Sequence, residues 1–367
     1  MLDLETNAVA FIKENASKNS YVSVSGGKDS LVVLDLAVRA GVKKAVFCNT
    51  TIEYPETVDY VKKLPSFFDI ELNVVSAPRD FFTVIKEIGF PSRRTRWCCD
   101  VFKFGPLARF VTERDVDAFI TGLRREESSK RGDYGFSDDN PMVPAKQLNP
   151  IINWSKEDVL GYIKKYNLPL NPLYKHFDRV GCWPCPFRTD AAWDKTKELY
   201  PQLVEKMKQE LSSFAARKGI DEERFIDNNG WMTWIVPMEK RPSAIYSPCE
   251  KTSIFWGMNE EQAKRVEKIL PILVKDFRRV GRKIRISTDG IPVVKINILI
   301  EKAINCMRCG ACLATCPTGA LFLDEESVNV KIDKCTKCLR CLNTHVLKGA
   351  CVFRNYAPQK QTVAVEF

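Results

Sequence analysis

The chain has 367 residues, 45% of them hydrophobic, enough for a large core and two or three domains. Its longest apolar runs, such as Val293 to Ile300, are broken by Lys295 and too short to span a bilayer, and Met1-Leu2-Asp3-Leu4-Glu5 lacks the order of a signal peptide. A cytoplasmic protein with no membrane partner is expected, and the net charge of +10 points to anionic partners, either nucleic acid or a small polyanionic substrate.

Tyr21 to Ser25 reads as a buried strand and Leu31 to Ala40 as the helix after it; Lys44 to Cys48 is a second strand, and Pro55 to Leu64 a helix entered by proline. Glu71 to Ser76 and Asp117 to Thr121 are further strands, with Phe81 to Ile88 and Phe102 to Thr112 as helices. This alternation predicts an α/β fold: a mostly parallel, doubly wound sheet whose ligands sit at the carboxyl ends of its strands. Ala191 to Arg217 is helical in pattern, and residues 220 to 257, rich in Trp, Pro and Gly, resist assignment. Asn259 to Val280 reads as one amphipathic helix with Val266, Ile269, Leu270, Leu273 and Phe277 on one face. Lys283 to Ser287 and Val293 to Ile298 read as strands leading into a small α+β, ferredoxin-like C-terminal domain. The expected division is 1–218 for the nucleotide domain, 219–300 for a connecting region and 301–357 for the C-terminal domain.

Between the first strand and its helix lies Ser25-Gly26-Gly27-Lys28-Asp29-Ser30. Glycines there let backbone N–H groups face an anion at a helix N-terminus, and Lys28, Ser25 and Ser30 add donors. It is not a Walker A loop. The hexapeptide resembles the pyrophosphate loop of adenine-nucleotide α-hydrolases, and the surrounding chain resembles the phosphoadenosine phosphosulfate reductase family within that group. The other matching stretches are Phe47 to Thr57, Trp97-Cys-Cys-Asp100, Thr121-Gly-Leu-Arg-Arg-Glu-Glu-Ser128, Asn171-Pro-Leu-Tyr174 and Gly181-Cys-Trp-Pro-Cys185, all between residues 20 and 190. The resemblance implies that Ser25, Gly26, Gly27, Lys28, Asp29 and Ser30 bind the substrate's phosphate or phosphosulfate. It also implies that Arg124 and Arg125 neutralise the same anion, with Lys28 and Arg124 acting in the chemistry.

All fourteen cysteines except Cys48 and Cys249 fall into three groups, a usage that suits metal binding in a reducing compartment. Cys306, Cys309, Cys312 and Cys316-Pro317 form C-x2-C-x2-C-x3-C-P, the bacterial ferredoxin pattern for [4Fe–4S] clusters, and Cys335, Cys338 and Cys341 repeat its first three positions. In two-cluster ferredoxins the fourth cysteine of each run ligates the other cluster, which groups Cys316 with Cys335, Cys338 and Cys341. The first cluster's remaining ligand is His345, at the gap-free fourth position, or Cys351; thiolate is the commoner ligand and Cys351 is preferred. Cys98, Cys99, Cys182 and Cys185 resemble the [4Fe–4S] site of adenylyl-sulfate reductases. Zinc is the alternative occupant of such a set, though it usually takes two spaced pairs. Three [4Fe–4S] clusters are therefore expected.

Together these features imply an iron–sulfur enzyme of sulfate assimilation. It would reduce phosphoadenylyl or adenylyl sulfate to sulfite and the adenosine phosphate, with electrons entering from an external low-potential donor through the C-terminal clusters. A homo-oligomer is expected. The family's nucleophilic cysteine lies in an E-C-G-type motif that does not occur in this sequence, and Cys249 in Ser247-Pro-Cys-Glu250 is the substitute candidate. Cys48 reads as a small buried apolar residue and His176 as a loop residue. The alternative is an ATP pyrophosphatase-type sulfur-transfer enzyme acting on tRNA or DNA, in which case the charge is a nucleic-acid footprint.

Overall fold

The structure is a computed structural model. It describes residues 2–77, 79–93, 96–127, 132–140, 143, 145–233, 245–249, 252–288, 290–306, 308, 312, 313, 316 and 318–342. The chain divides into two compact units, Met1–Ala77 with Phe102–Glu210 and Pro78–Val101 with Leu211–Phe367.

In the first unit, α1 (Leu2–Asn15) precedes the alternation β1 (Ser20–Val24), α2 (Lys28–Arg39), β2 (Lys44–Asn49), α3 (Pro55–Phe68) and β3 (Glu71–Ser76). It continues with α4 (Gly105–Arg114), β4 (Ala118–Ile120), β5 (Ser137–Asp139), β6 (Lys146–Leu148) and α5 (Lys156–Lys165). The sheet order is β3-β2-β1-β4-β6-β5, parallel except for the edge strand β5. Both faces are covered, as an apolar strand such as Tyr21–Val24 requires. Val22, Val24, Ala45, Phe47 and Ile120 pack under α1, α2, α3 and α5, while Tyr21, Val46 and Phe119 meet Leu107, Phe110 and Val111 of α4. Chain order reverses between β1 and β4, so the two loops leaving those strands flank the point where such sheets open a crevice.

The helix expected from Phe102 begins instead as a widened turn over Asp100–Phe104 and becomes regular at Gly105. Ala191 to Arg217 is two helices, α6 (Asp190–Leu199) and α7 (Pro201–Lys218), because Pro201 cannot continue the hydrogen-bond ladder.

The second unit holds a four-stranded antiparallel sheet ordered β7-β8-β10-β9, from β7 (Ile245–Cys249), β8 (Thr252–Trp256), β9 (Phe277–Val280) and β10 (Lys283–Ser287). One face packs against α8 (Glu260–Ile269) and α9 (Val293–Ile304), and the same core takes in Cys312, Leu313, Leu321, Val328, Cys341 and Leu342. The small hairpin β11 (Leu321–Leu323) and β12 (Val328–Val330) belongs to it. The expected helix Asn259 to Val280 is therefore corrected: Asn259 caps it with Gln262 in a capping box, Pro271 ends it, and Phe277 to Val280 is strand. Val293 to Ile298 is likewise helix, not strand. Pro292 opens it, and Ile296, Leu299, Ile300, Ala303 and Ile304 recur at helical spacing toward the core. Among the described residues no helix is long and apolar enough to cross a membrane.

Candidate nucleotide site and cysteine cavity

Strand β1 ends at Val24 and α2 starts at Lys28, so Ser25, Gly26 and Gly27 turn the chain between them. Gly26 has φ 77°, and a Cβ there would stand 2.6 Å from Thr57 Cγ2, so conformation and space both demand glycine. The Ser25 N–H donates to Ser30 Oγ at 3.2 Å, and Ser30 Oγ donates to the Gly27 carbonyl at 2.9 Å. Buried Asn171 donates from Nδ2 to the Gly26 carbonyl at 3.0 Å, and Tyr174 Oη accepts the Lys28 N–H at 2.8 Å. Burial pushes the Tyr174 phenol up to about 12, which keeps it neutral. Asn171 and Tyr174 are positioning residues, and their local signature is Asn before Pro: Asn171 Oδ1 accepts the Leu173 N–H at the head of a helical turn.

Lys28 and Asp29 form an ion pair at 2.8 Å with side chains only 10% and 15% exposed. Arg124, with 4% side-chain exposure, donates from Nε to Asp29 Oδ1 and from Nη1 to Glu126 Oε2, both at 2.6 Å. Its Nη1 also reaches the Trp154 carbonyl at 3.2 Å. Burial works against the charge, but the Asp29 and Glu126 carboxylates outweigh it and raise the guanidinium further above its ordinary value. Arg124 thus reaches the loop through Asp29. Arg125 is exposed and donates to the Tyr134 carbonyl and Asn153. Gly122, at the end of β4, brings its backbone against the loop; a Cβ there would lie 2.7 Å from the Asp29 carbonyl carbon and 2.8 Å from Ser30 N.

Cys182 and Cys185 lie in a tight turn of the first unit, with Trp183 N–H donating to the Ile52 carbonyl at 3.0 Å. Cys182 Sγ lies 3.4 Å from Thr50 Oγ1 and 3.8 Å from Glu53 Oε1; burial raises the Glu53 carboxyl. The Arg188 guanidinium sits over the Tyr54 and Phe177 rings. Desolvation lowers its pKa despite the Tyr54 phenol and the Cys185 and Cys182 sulfurs, which favour its charge. Cys48 donates to the Phe102 carbonyl at 3.1 Å, and burial pushes its thiol up to about 12, the behaviour of a packed, unreactive cysteine. His176 is exposed in its loop.

In the second unit Cys98 and Cys99 follow Trp97, which is buried and stacked on Phe81, and Arg96 Nε donates to Cys99 Sγ at 3.2 Å. Cys249 closes strand β7; its side chain, with Cys309, His345 and Cys351, falls outside the described residues.

A cavity in the same unit is lined by Cys316, Cys335, Cys338 and Cys341, together with Ile272, Leu321 and Val330. These are the four cysteines that the fourth-ligand exchange groups together. Cys316 Sγ accepts the Ala320 N–H at 3.2 Å; backbone N–H groups and the Thr318 hydroxyl overcome burial and lower its thiol pKa. Burial raises Cys341, Lys302 opposes that rise, and the sulfurs of Cys316, Cys335 and Cys338 add to it. Lys302 of α9, 3% exposed, donates to the Cys341 carbonyl at 2.5 Å. The backbone turns left-handed at Arg308, between Cys306 and Cys309, and at Lys337 and Leu339, inside the two C-x2-C segments from Cys335 to Cys341, and Cys306 Sγ accepts the Val328 N–H at 3.2 Å. Thiols in N–H-rich turns around an apolar cavity fit cubane clusters, whose irons present separate corners. Among the described residues no three His, Cys, Asp or Glu side chains are grouped to hold a single metal ion.

Residues 19–188 match the phosphoadenosine phosphosulfate reductase domain and residues 305–344 the 4Fe-4S dicluster domain. A Methanocaldococcus jannaschii protein described as uncharacterized is 36% identical over 59% of this chain and 47% of its own length. A second from that organism, described likewise, is 32% identical over 68% of this chain and 61% of its own. The chain therefore spans less than two thirds of either relative. An adenosine 5′-phosphosulfate reductase of Geobacillus kaustophilus is 30% identical over 44% of this chain and 70% of its own length. With the loop, the strand order and the cysteine runs already in place, these matches assign the protein: it belongs to the phosphoadenosine phosphosulfate reductase family and carries a C-terminal 4Fe-4S dicluster domain.

Proposed function

We propose that the protein reduces an adenine nucleotide sulfate, either adenylyl sulfate or its 3′-phosphate derivative, to sulfite and the adenosine phosphate. The observation that carries this reading is the presence, in one chain, of the Ser25–Ser30 loop and the cavity of Cys316, Cys335, Cys338 and Cys341. A nucleotide loop fused to an electron path makes physical sense where the bound substrate consumes electrons. In the reaction the sulfur–oxygen bond to the phosphate breaks, an electron pair reduces sulfur, and the nucleotide phosphate keeps the bridging oxygen.

Ser25, Gly26, Gly27, Lys28, Asp29 and Ser30 hold the phosphate and sulfate oxygens through backbone N–H groups, hydroxyls and the ammonium. Arg124 orients Asp29, and with it Lys28, while Arg125 offers its exposed fork to the same anion. Cys316, Cys335, Cys338 and Cys341 would hold one cluster, Cys306, Cys309, Cys312 and Cys351 a second, and Cys98, Cys99, Cys182 and Cys185 a third. When bound, such clusters supply electrons one at a time at low potential, here from an external donor. Cys249 is the proposed nucleophile: its thiolate would bond to the sulfate sulfur as the nucleotide phosphate leaves with the bridging oxygen, and the two electrons from the external donor would then cleave the new sulfur–sulfur bond, releasing sulfite and restoring the thiolate.

The test is an anaerobic incubation of reduced protein with each nucleotide sulfate and, separately, with ATP. Sulfite release is expected; pyrophosphate release from ATP without sulfite would overturn the reading in favour of ATP-dependent sulfur transfer. About twelve irons per chain are expected for three [4Fe–4S] clusters, against about eight if the nucleotide-domain set holds zinc. Sulfite formation that survives Cys249→Ser would remove that cysteine from the chemistry.

A further inference from the structure

Neither the nucleotide loop nor the cysteine cavity uses the basic stretch from Arg278 to Arg285. It forms the β9–β10 hairpin at one edge of the four-stranded sheet. On the inner side Ile284 and Ile286 are fully buried, and Arg279 is engaged by Glu260 and Glu267 of α8. The alternate residues, Arg278, Val280, Lys283 and Arg285, belong to the opposite side, and all are exposed. On the neighbouring strand Ile254 and Trp256 alternate with buried Ser253 and Phe255, which places them on that same side.

The register sharpens the picture. Arg278 is directly opposite Arg285, and Arg285 is directly opposite Ile254. Lys283 faces Val280, which is 63% exposed, and lies one step beyond the Ile284–Phe255 pair, beside Trp256. Like charges placed directly opposite one another destabilise a sheet, so the hairpin carries a local cost. Among the described residues no hydrogen bond or ion pair engages Arg278, Lys283 or Arg285, although Arg279 next door takes two carboxylates. An arginine pair, a lysine and a half-buried indole on one antiparallel face match a chain of phosphates with stackable bases.

We propose that this face binds single-stranded nucleic acid. Arg278, Arg285 and Lys283 take successive phosphates, and Trp256 stacks a base. An acidic protein would satisfy the charges but leave Trp256 without a specific task. The proposal is independent of the chemistry at the Ser25–Ser30 loop and survives or falls separately from it.

The experiment uses the full-length, cluster-loaded protein and a labelled single-stranded RNA of about 12 nucleotides, followed by fluorescence anisotropy across salt concentrations. Binding is expected to weaken with salt at a log–log slope of about −2, the value for three phosphate contacts. Arg278→Gln with Arg285→Gln should weaken it at least about tenfold, with the clusters' visible absorption unchanged. Trp256→Ala should weaken RNA binding about tenfold while leaving polyglutamate binding unmoved. RNA affinity unaffected by the arginine pair, or polyglutamate competing as well as RNA with no Trp256 effect, overturns the proposal; the second result marks an acidic-protein surface.

Discussion

Replacing Arg124 by alanine separates two roles for that residue. The guanidinium is nearly buried and meets Asp29 at 2.6 Å, Glu126 at 2.6 Å and the Trp154 carbonyl at 3.2 Å. Breaking a buried ion pair costs roughly 3–5 kcal/mol when the remaining charge is left alone. Asp29 keeps Lys28 at 2.8 Å, and the Glu126 carboxylate is 54% exposed and contributes little. The loss should therefore be about 2–4 kcal/mol, including the packing of the buried stem. For a unit of this size that lowers Tm by about 5–15 °C, read by anaerobic calorimetry. Arg124→Lys keeps charge but not the fork and should recover only part of the loss. A double-mutant cycle with Asp29→Asn should give a coupling of about 1–3 kcal/mol. An Arg124→Ala protein with unchanged Tm and weakened nucleotide binding would refute the reasoning, because the guanidinium would then serve the ligand and not Asp29.

Gly122→Ala places a methyl 2.7 Å from the Asp29 backbone and should cost about 1–3 kcal/mol while weakening nucleotide binding; calorimetry and equilibrium titration check both, and unchanged affinity would show that the loop tolerates displacement. In the second unit burial alone would raise the Asp324 carboxyl, but the Ser327 N–H and the Lys268 ammonium hold its pKa well below 3.8. A carboxylate depressed in the folded state contributes stability above its unfolded value and loses it as pH falls toward the folded one. Thermal unfolding compared between wild type and Asp324→Asn from about pH 5 to pH 2 should therefore converge on acidification, most of it below the unfolded value, and parallel curves would contradict the pairing.

The sheet was legible because Tyr21 to Val24 and Lys44 to Asn49 are mostly apolar, and Glu71 to Ser76 carries Leu72, Val74 and Val75, all bounded by helices with their own signals, such as Pro55 at the first position of α3. The short strands β5 and β6 gave too little pattern: Ser137–Asp139 is polar and pairs only at an edge. Val293 to Ile298 reads as strand because β-branched residues favour strands by local preference, whereas the helix there is fixed by packing beyond that stretch, at Leu299, Ile300, Ala303 and Ile304. Pro271 is the local signal that ends the preceding helix. At the site, the ligand-exchange rule groups Cys316 with Cys335, Cys338 and Cys341, and the same four line one cavity. The roles of Asn171, Tyr174 and Arg124 depend on contacts across 145, 146 and 95 residues, which no local pattern encodes.

The hydrogen bonds that Asn171, Tyr174, Ser25 and Ser30 make around Gly26 and Gly27 have a consequence for the kinetics of capture. The loop holds its curve with the protein's own groups, so an arriving nucleotide does not have to organise it. Little ordering entropy is lost on binding, and association approaches rigid docking. Differences in affinity among nucleotide sulfates are then expressed in how fast they leave, not in how fast they arrive.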